Sequence, residues 1–284
     1  MFINLHHVLF FVLKFLLFIR LVNIFIFLSE NINEIVRVAS PDVNVSIDMN
    51  GNTVTSNSNN AVAVLDGIVE LKNGTIKNGW SDYHAVATTG SSTVTLDNVN
   101  IIGQNDPSMN MLAVKTYSSD TTINIKNSTK TLINCGGVEA NAGGTINLES
   151  VIISRSGDAG LYFIETAIAV SCNGTVNVNG GMYSGKIAIQ VSLPGGTIII
   201  NNGIFTGDEA IHMDSNTNSY PGRSHSITIN GGTFLGDIYA AVYSEIIING
   251  GTFNINPLTD ITGGGNVIIN GEVVDNGNGT WSVK

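Results

Sequence analysis

From Ile47 to the C-terminus the chain repeats one short pattern: an apolar residue, any residue, a second apolar residue, then Asn or another turn former. The best copies are Val176-Asn177-Val178-Asn179-Gly180-Gly181-Met182-Tyr183, Ile198-Ile199-Ile200-Asn201-Asn202-Gly203-Ile204-Phe205, Ile227-Thr228-Ile229-Asn230-Gly231-Gly232-Thr233-Phe234 and Ile246-Ile247-Ile248-Asn249-Gly250-Gly251-Thr252-Phe253. Weaker copies start at Ile47, Val69, Val94, Ile123, Ile146 and Val267. Successive starts lie roughly 24 residues apart, a period that marks stacked supersecondary units. Strand side chains alternate, so the first and third residues of each copy face one way and the second faces the other. Gly and Asn tolerate positive φ, so Asn-Gly-Gly predicts a sharp corner, after which Phe, Tyr or Ile returns to the interior. A second strand is expected further along each coil, at Lys186-Ile187-Ala188-Ile189-Gln190-Val191, Asp208-Glu209-Ala210-Ile211-His212-Met213 and Asp237-Ile238-Tyr239-Ala240-Ala241-Val242-Tyr243. Coils stacked about 4.8 Å apart would pair each strand with its equivalent in the next coil. The pattern predicts an all-β solenoid, a parallel β-helix of about ten coils over residues 36–284.

The first 35 residues are different. Residues 2–28 are almost continuously apolar, but Lys14 and Arg20 interrupt them, and the uninterrupted runs are closer in length to a signal-peptide core than to a membrane span. The segment is read as a leader, a membrane anchor, or a helix capping the open end of the solenoid. Membrane contact is expected only through it.

Charge narrows the partners. The net charge of −10 comes from 22 acidic residues against 12 scattered bases, so the field that attracts a phosphate backbone is missing and nucleic acid is excluded as a partner. Cys135 and Cys172 are not separated by a whole number of coils and are read as two buried thiols rather than a disulfide.

Stacking converts sequence offsets into columns, and these nominate a site. Counting ten residues from the best coil starts aligns Lys186, Asp208, Asp237 and Asn256, while Glu209 and Asp214 lie close by. The outward positions of the second strand are expected to be Gln190, His212 and Tyr243, allowing one inserted residue at Tyr239. The stretch 215–225, with Tyr220 and Arg223, lengthens one coil and suits the wall of a groove. Asp208 and Asp237, with Asp214, are the candidate catalytic acids, because paired carboxylates about 5 to 5.5 Å apart serve retaining glycosidases. Gln190, Glu209, His212, Tyr220, Arg223 and Tyr243 are the candidate glycan contacts. The alternative is structural: Gly-Asp suits a corner, where Asp caps its own backbone. No cofactor is expected; Ca²⁺ wants six to eight oxygen ligands, and no compact Asp-rich loop supplies them.

A second column points to a protein partner. The outward residue of the first strand runs Asp48, Glu70, Thr95, Asn124, Asn147, Asn177, and then Ile199, Thr228, Ile247, Ile268. Three β-branched apolar residues facing water in one column would suit a second copy of the chain or a neighbouring domain.

The Ile-Asn-Gly-Gly-Thr-Phe copies at 229–234 and 248–253, the Gly-Asp corners at 207–208 and 236–237, and the ending Asn276-Gly277-Asn278-Gly279-Thr280-Trp281 carry a resemblance. They resemble the right-handed parallel β-helix repeat family of the pectin-lyase-like superfamily, and look most like repeat regions of secreted bacterial surface proteins. That resemblance implies a secreted or cell-surface location and a non-catalytic role in adhesion or glycan binding. The alternative it implies is a polysaccharide lyase or glycoside hydrolase, including a phage tailspike-like depolymerase. The Asn-x-Asp, Asp-Asp, Gly-His-Gly and Arg-x-Lys motifs of polygalacturonase-like members are not found, which weighs against catalysis.

Overall fold

Alternation of apolar and polar residues obliges each coil to bury every second side chain, and the computed structural model shows where those side chains meet. It describes residues 22–78, 83–102, 113–128, 137–154, 166–192, 195–214 and 225–284. Among them there is no helix, so none is long and apolar enough to cross a membrane. All strands join one 21-stranded sheet that runs in a ring, giving a β-helix-like solenoid. Each segment pairs in parallel with its equivalent in the next coil, and pairing turns antiparallel only at the C-terminal end.

The first face is a ladder of Cα partners: Ile24, Val45, Val69, Val94, Ile123, Ile146, Val176, Ile198, Ile227, Ile246 and Val267. From Val69 to Ile246 every member has no exposed surface, and each such aliphatic side chain contributes about 1.5–3 kcal/mol. Two expectations change. The rung before Val69 is Val45, whereas Ile47 pairs with Leu71 one inward position further on. The ladder also begins before residue 36: Val22–Phe27 pairs in parallel with Val43–Asp48, Ile24 and Ile26 pack on the core, and Leu28 is buried. Residues 22–27 of the apolar segment therefore form a strand, not a helix; residues 1–21 lie outside the described residues.

At the corner that follows, Gly181, Gly203, Gly232 and Gly251 take φ of 103°, 141°, 109° and 125°, a region that L side chains avoid. A Cβ on Gly181 would also lie 2.2 Å from the Val151 carbonyl oxygen. The turned chain enters a second face whose inward column is Val54, Ile76 and Ile101 in the early coils and Ile153, Tyr183, Phe205, Phe234 and Phe253 later. The four rings stack at centroid separations of 5.1, 4.9 and 5.1 Å with interplanar angles of 12° or less. This face ends in a hairpin: Trp281–Val283 runs antiparallel to Gly251–Phe253, and Val273–Asp275 runs antiparallel to Trp281–Val283.

The outward column at this corner has two halves. Asp48, Lys72, Asp97, Lys126 and Glu149 are successive partners, so opposite charges alternate along it, an arrangement that stabilises cross-strand pairs. Lys126 Nζ lies 3.2 Å from Asp97. A hydrogen bond from Asn127, more than the nearby Lys126 and Lys72, holds the Asp97 carboxyl below its ordinary range despite slight burial. From Asn179 onward the column carries no charge. Asn201 donates to Asn179, Asn230 to Asn201, Asn249 to Asn230 and Asn270 to Asn249, at 2.7–2.9 Å.

A third face closes the ring through Val36–Val38, Val62–Val64, Val86–Thr88, Val114–Thr116, Val138–Ala140, 168–170, 189–191, 211–213 and 238–240. Cys172 sits beyond it as a free, half-buried thiol at positive φ, not as a core residue. Cys135 lies outside the described residues.

Candidate functional site

On the third face the inward positions are apolar apart from the buried Thr88 and Thr116, and the outward column mixes alanines with polar and charged residues. Their column runs Arg37, Ala63, Ala87, Lys115, Glu139, Ala169, Gln190, His212 and Tyr239. Gln190 and His212 are neighbours, as the sequence predicts, but Gln190 has no exposed surface and so acts through its hydrogen bonds to the network and not as a direct contact. Tyr243 is not the next member. It lies three-fifths exposed or more in a turn at φ 70°, and Tyr239 occupies the rung, its ring stacked on His212 at 5.0 Å. The displacement has a simple cause. Between Thr206 and Ile211 the chain carries more residues than between Leu235 and Ile238, so the register shifts twice within the strand Gly196–Met213.

The same irregularity rearranges the acids. Asp237 pairs with Glu209, not with Asp208, which is exposed and belongs to no rung. Glu209 and Asp214 converge on His212: Nδ1 meets Glu209 Oε2, and Nε2 meets Asp214 Oδ1 at 2.8 Å. Gln190 Nε2 donates to the other Asp214 oxygen at 3.2 Å, and Thr166 donates to Gln190 Oε1 at 2.9 Å. Gln190, Glu209, His212 and Asp214 thus form one connected network beside Tyr239. Tyr220 and Arg223 lie outside the described residues. Among the described residues no group of three or more His, Cys, Asp or Glu side chains is placed to hold a metal ion.

Toward the N-terminus the column continues in residues that carry no motif. Lys115 Nζ lies 2.6 Å from Glu139 Oε2 and 5.2 Å over the Tyr117 ring, while His84 Nε2 meets the Tyr117 hydroxyl at 2.7 Å. Glu139 is almost fully buried and also accepts from Asn141 and Ser171. The signal available in sequence was a single polar residue inside a very short apolar run, such as Val138-Glu139-Ala140. Nothing distinguishes that from a loop.

Titration ties this site to stability. The hydrogen bond to Asp214, with the Glu209 contact, raises the His212 pKa above 6.5 against the opposing effect of burial. His225 is buried with Nδ1 unpartnered, and burial lowers its pKa although the Asp214 carboxylate pulls the other way. The raised His212 contributes stability that is complete below 6.5 and lost as pH rises through its folded value. The lowered His225 acts oppositely, destabilising progressively as pH falls below 6.5. Stability in urea should therefore peak near pH 6.5. In His212→Gln the decline on the alkaline side should flatten while the acid-side decline remains. An unchanged profile would show that the clasp around His212 does not form.

The apolar column also takes shape. Ile199, Thr228, Ile247 and Ile268 are successive partners; the first three are half-buried and Ile268 is exposed.

Compared with known proteins, the chain matches no family model, no curated protein and no solved structure.

Proposed function

We propose that this chain is a non-catalytic extracellular or cell-surface module for adhesion or glycan binding, and that the C-terminal end of the third face's outward column, at His212 and Tyr239, is its contact surface. The finer architecture belongs to the same reading: right-handed winding, about ten coils and kinship with pectin-lyase-like β-helices. Parallel crossover connections are right-handed in nearly all known cases, and the repeat letters support the rest.

One observation carries the functional reading. The acids nearest the candidate groove are already engaged, Glu209 and Asp214 on His212, and Asp214 again on Gln190. A general base must have a lone pair free for its proton. The His212 imidazole has both ring nitrogens engaged by carboxylates, which favour its protonated form, so neither nitrogen offers a free lone pair. Such a network suits a rigid surface that offers Tyr239 and fixed polar groups to sugar hydroxyls and C–H faces. Secretion, and an anchoring role for the apolar N-terminal segment, fit a module of this kind. The reading needs no cofactor.

A second reading rests on Glu209 and Asp237, exposed or half-exposed partners on adjacent coils. That spacing is of the order used by an acid and nucleophile pair in retaining glycosidases, so this reading is a polysaccharide-cleaving enzyme. Incubation with a polysaccharide panel separates the two. The first reading expects retention of a glycan with no new reducing ends or unsaturated products, and a fall in affinity of several-fold in Tyr239→Ala. Sugar release abolished by both Glu209→Gln and Asp237→Asn would overturn it in favour of the enzyme.

A further inference from the structure

The amide half of the first corner is a regular array of hydrogen-bonding groups on the surface. We propose that Asn179, Asn201, Asn230, Asn249 and Asn270 form a second binding site, which takes an extended, uncharged polysaccharide strand lying along the solenoid with one sugar per coil. It shares only its ligand class with the function proposed above and stands on different side chains.

The argument begins with the capacity of a primary amide, which has two N–H donors and an oxygen with two lone pairs. Within the ladder each interior Asn gives one N–H to the preceding coil and receives one from the next. One donor and one acceptor remain at every rung. All five side chains are exposed, and the ladder bonds hold them in one orientation, so the remaining groups repeat at the coil spacing of about 4.8 Å. Little rotamer freedom is left to lose on binding, which favours a ligand that meets many rungs together.

Charge and shape select the ligand. The first half of this column alternates Asp, Lys, Asp, Lys and Glu, whereas the second half carries amides alone. A polyanion therefore finds no cation here and a polycation no acid. Columns of apolar residues and threonines flank the amides on both sides, with Thr228 between Ile199 and Ile247 on the first face and Thr233 and Thr252 following Ile204 on the second. Ile199, Ile247 and Ile268 lie on the first face, and Met182 and Ile204, 51% and 40% exposed, lie on the second. Sugars need this combination, since a pyranose presents hydroxyls at its rim and C–H groups on its faces. An extended chain of pyranoses advances by a distance close to one coil per residue, so its hydroxyls stay in phase with the amides over several rungs.

The test is titration calorimetry with β-1,4-linked gluco- and manno-oligosaccharides of one to eight sugars, and with oligogalacturonate as the charged control. Affinity should rise roughly two- to tenfold per sugar, the worth of one net hydrogen bond, and level off near five sugars. It should fall at least tenfold in Asn230→Ala/Asn249→Ala and in Met182→Lys, which leaves the ladder bonds intact, whereas in Tyr239→Ala, which alters the other surface, the rise of affinity with chain length should persist. Melting curves confirm that each variant is folded. The proposal is overturned by affinity independent of chain length, by preference for oligogalacturonate, or by binding that only Tyr239→Ala removes. The absence of binding to any of these sugars overturns it too, as does a dimer dissolved by Met182→Lys, which would mean that the ladder serves a second copy of the chain.

Discussion

Phe234→Ala is expected to lower the unfolding free energy by about 3–5 kcal/mol, the cost of emptying a fully buried aromatic site that cannot collapse. Phe234 has no exposed surface and lies between Phe205 and Phe253, stacked on each within about 5 Å. Removal therefore breaks two ring contacts at once. Phe234→Leu keeps most of the buried volume and should cost about 1 kcal/mol, chiefly the lost stacking. Stability in a solenoid is a sum over coils and their interfaces, so the damage should stay local. Urea titration followed by far-UV circular dichroism should show an early transition for the C-terminal coils, with the N-terminal coils melting as in the parent chain. A single shifted transition would mean that the coils unfold as one unit, and an effect below 1 kcal/mol would mean that the stack does not form.

The second large effect concerns a charge rather than a ring. Lys115→Met leaves the Glu139 carboxylate, 5% exposed, without its cation. Stranding a buried carboxylate in this way costs about 3 kcal/mol, the low end of the usual range because Lys115 itself remains partly in water. Adding Glu139→Gln removes the stranded charge and keeps an oxygen that still accepts from Asn141 and Ser171. The double variant should recover most of the loss, as buried ion pairs exchanged for neutral groups commonly do. Equal destabilisation in the single and double variants would place the energy in packing around the lysine stem instead.

These two sites differ in how far they could be read from the sequence. The aromatic stack was legible because Tyr183, Phe205, Phe234 and Phe253 each follow an Asn-Gly, Gly-Gly or Asn-Asn-Gly corner at a fixed offset. Corner chemistry is local, so letters report it directly. The phase of the weak copy at Ile47 was misplaced because Val45, Ile47 and Met49 alternate as well as any strand, and alternation fixes which side faces inward but not which rung is occupied. Site geometry was lost for a related reason. A bulge between Thr206 and Ile211 absorbs extra residues without changing composition, so a fixed count from the coil start stops one residue short at Asp208, where Glu209 is the partner, and in the next coil runs past Tyr239 to Tyr243. The Lys115–Glu139 pair was invisible because its members sit in three-residue strands on consecutive coils, with no corner signature to count from.

The two halves of the first-corner column respond differently to a change in coil number. Excise the coil that carries Lys72, and Asp48 comes to rest on Asp97; like charges on opposing strands are repelled by a few tenths to about 1 kcal/mol. Within the run from Asp48 to Glu149, removal or duplication of interior coils keeps the signs interleaved only in even numbers. Among the amide coils any unit can be copied or dropped, since asparagine meets asparagine in every arrangement. The amide half can therefore gain or lose single coils without setting like charges in register, whereas the interior of the charged half can do so only in pairs.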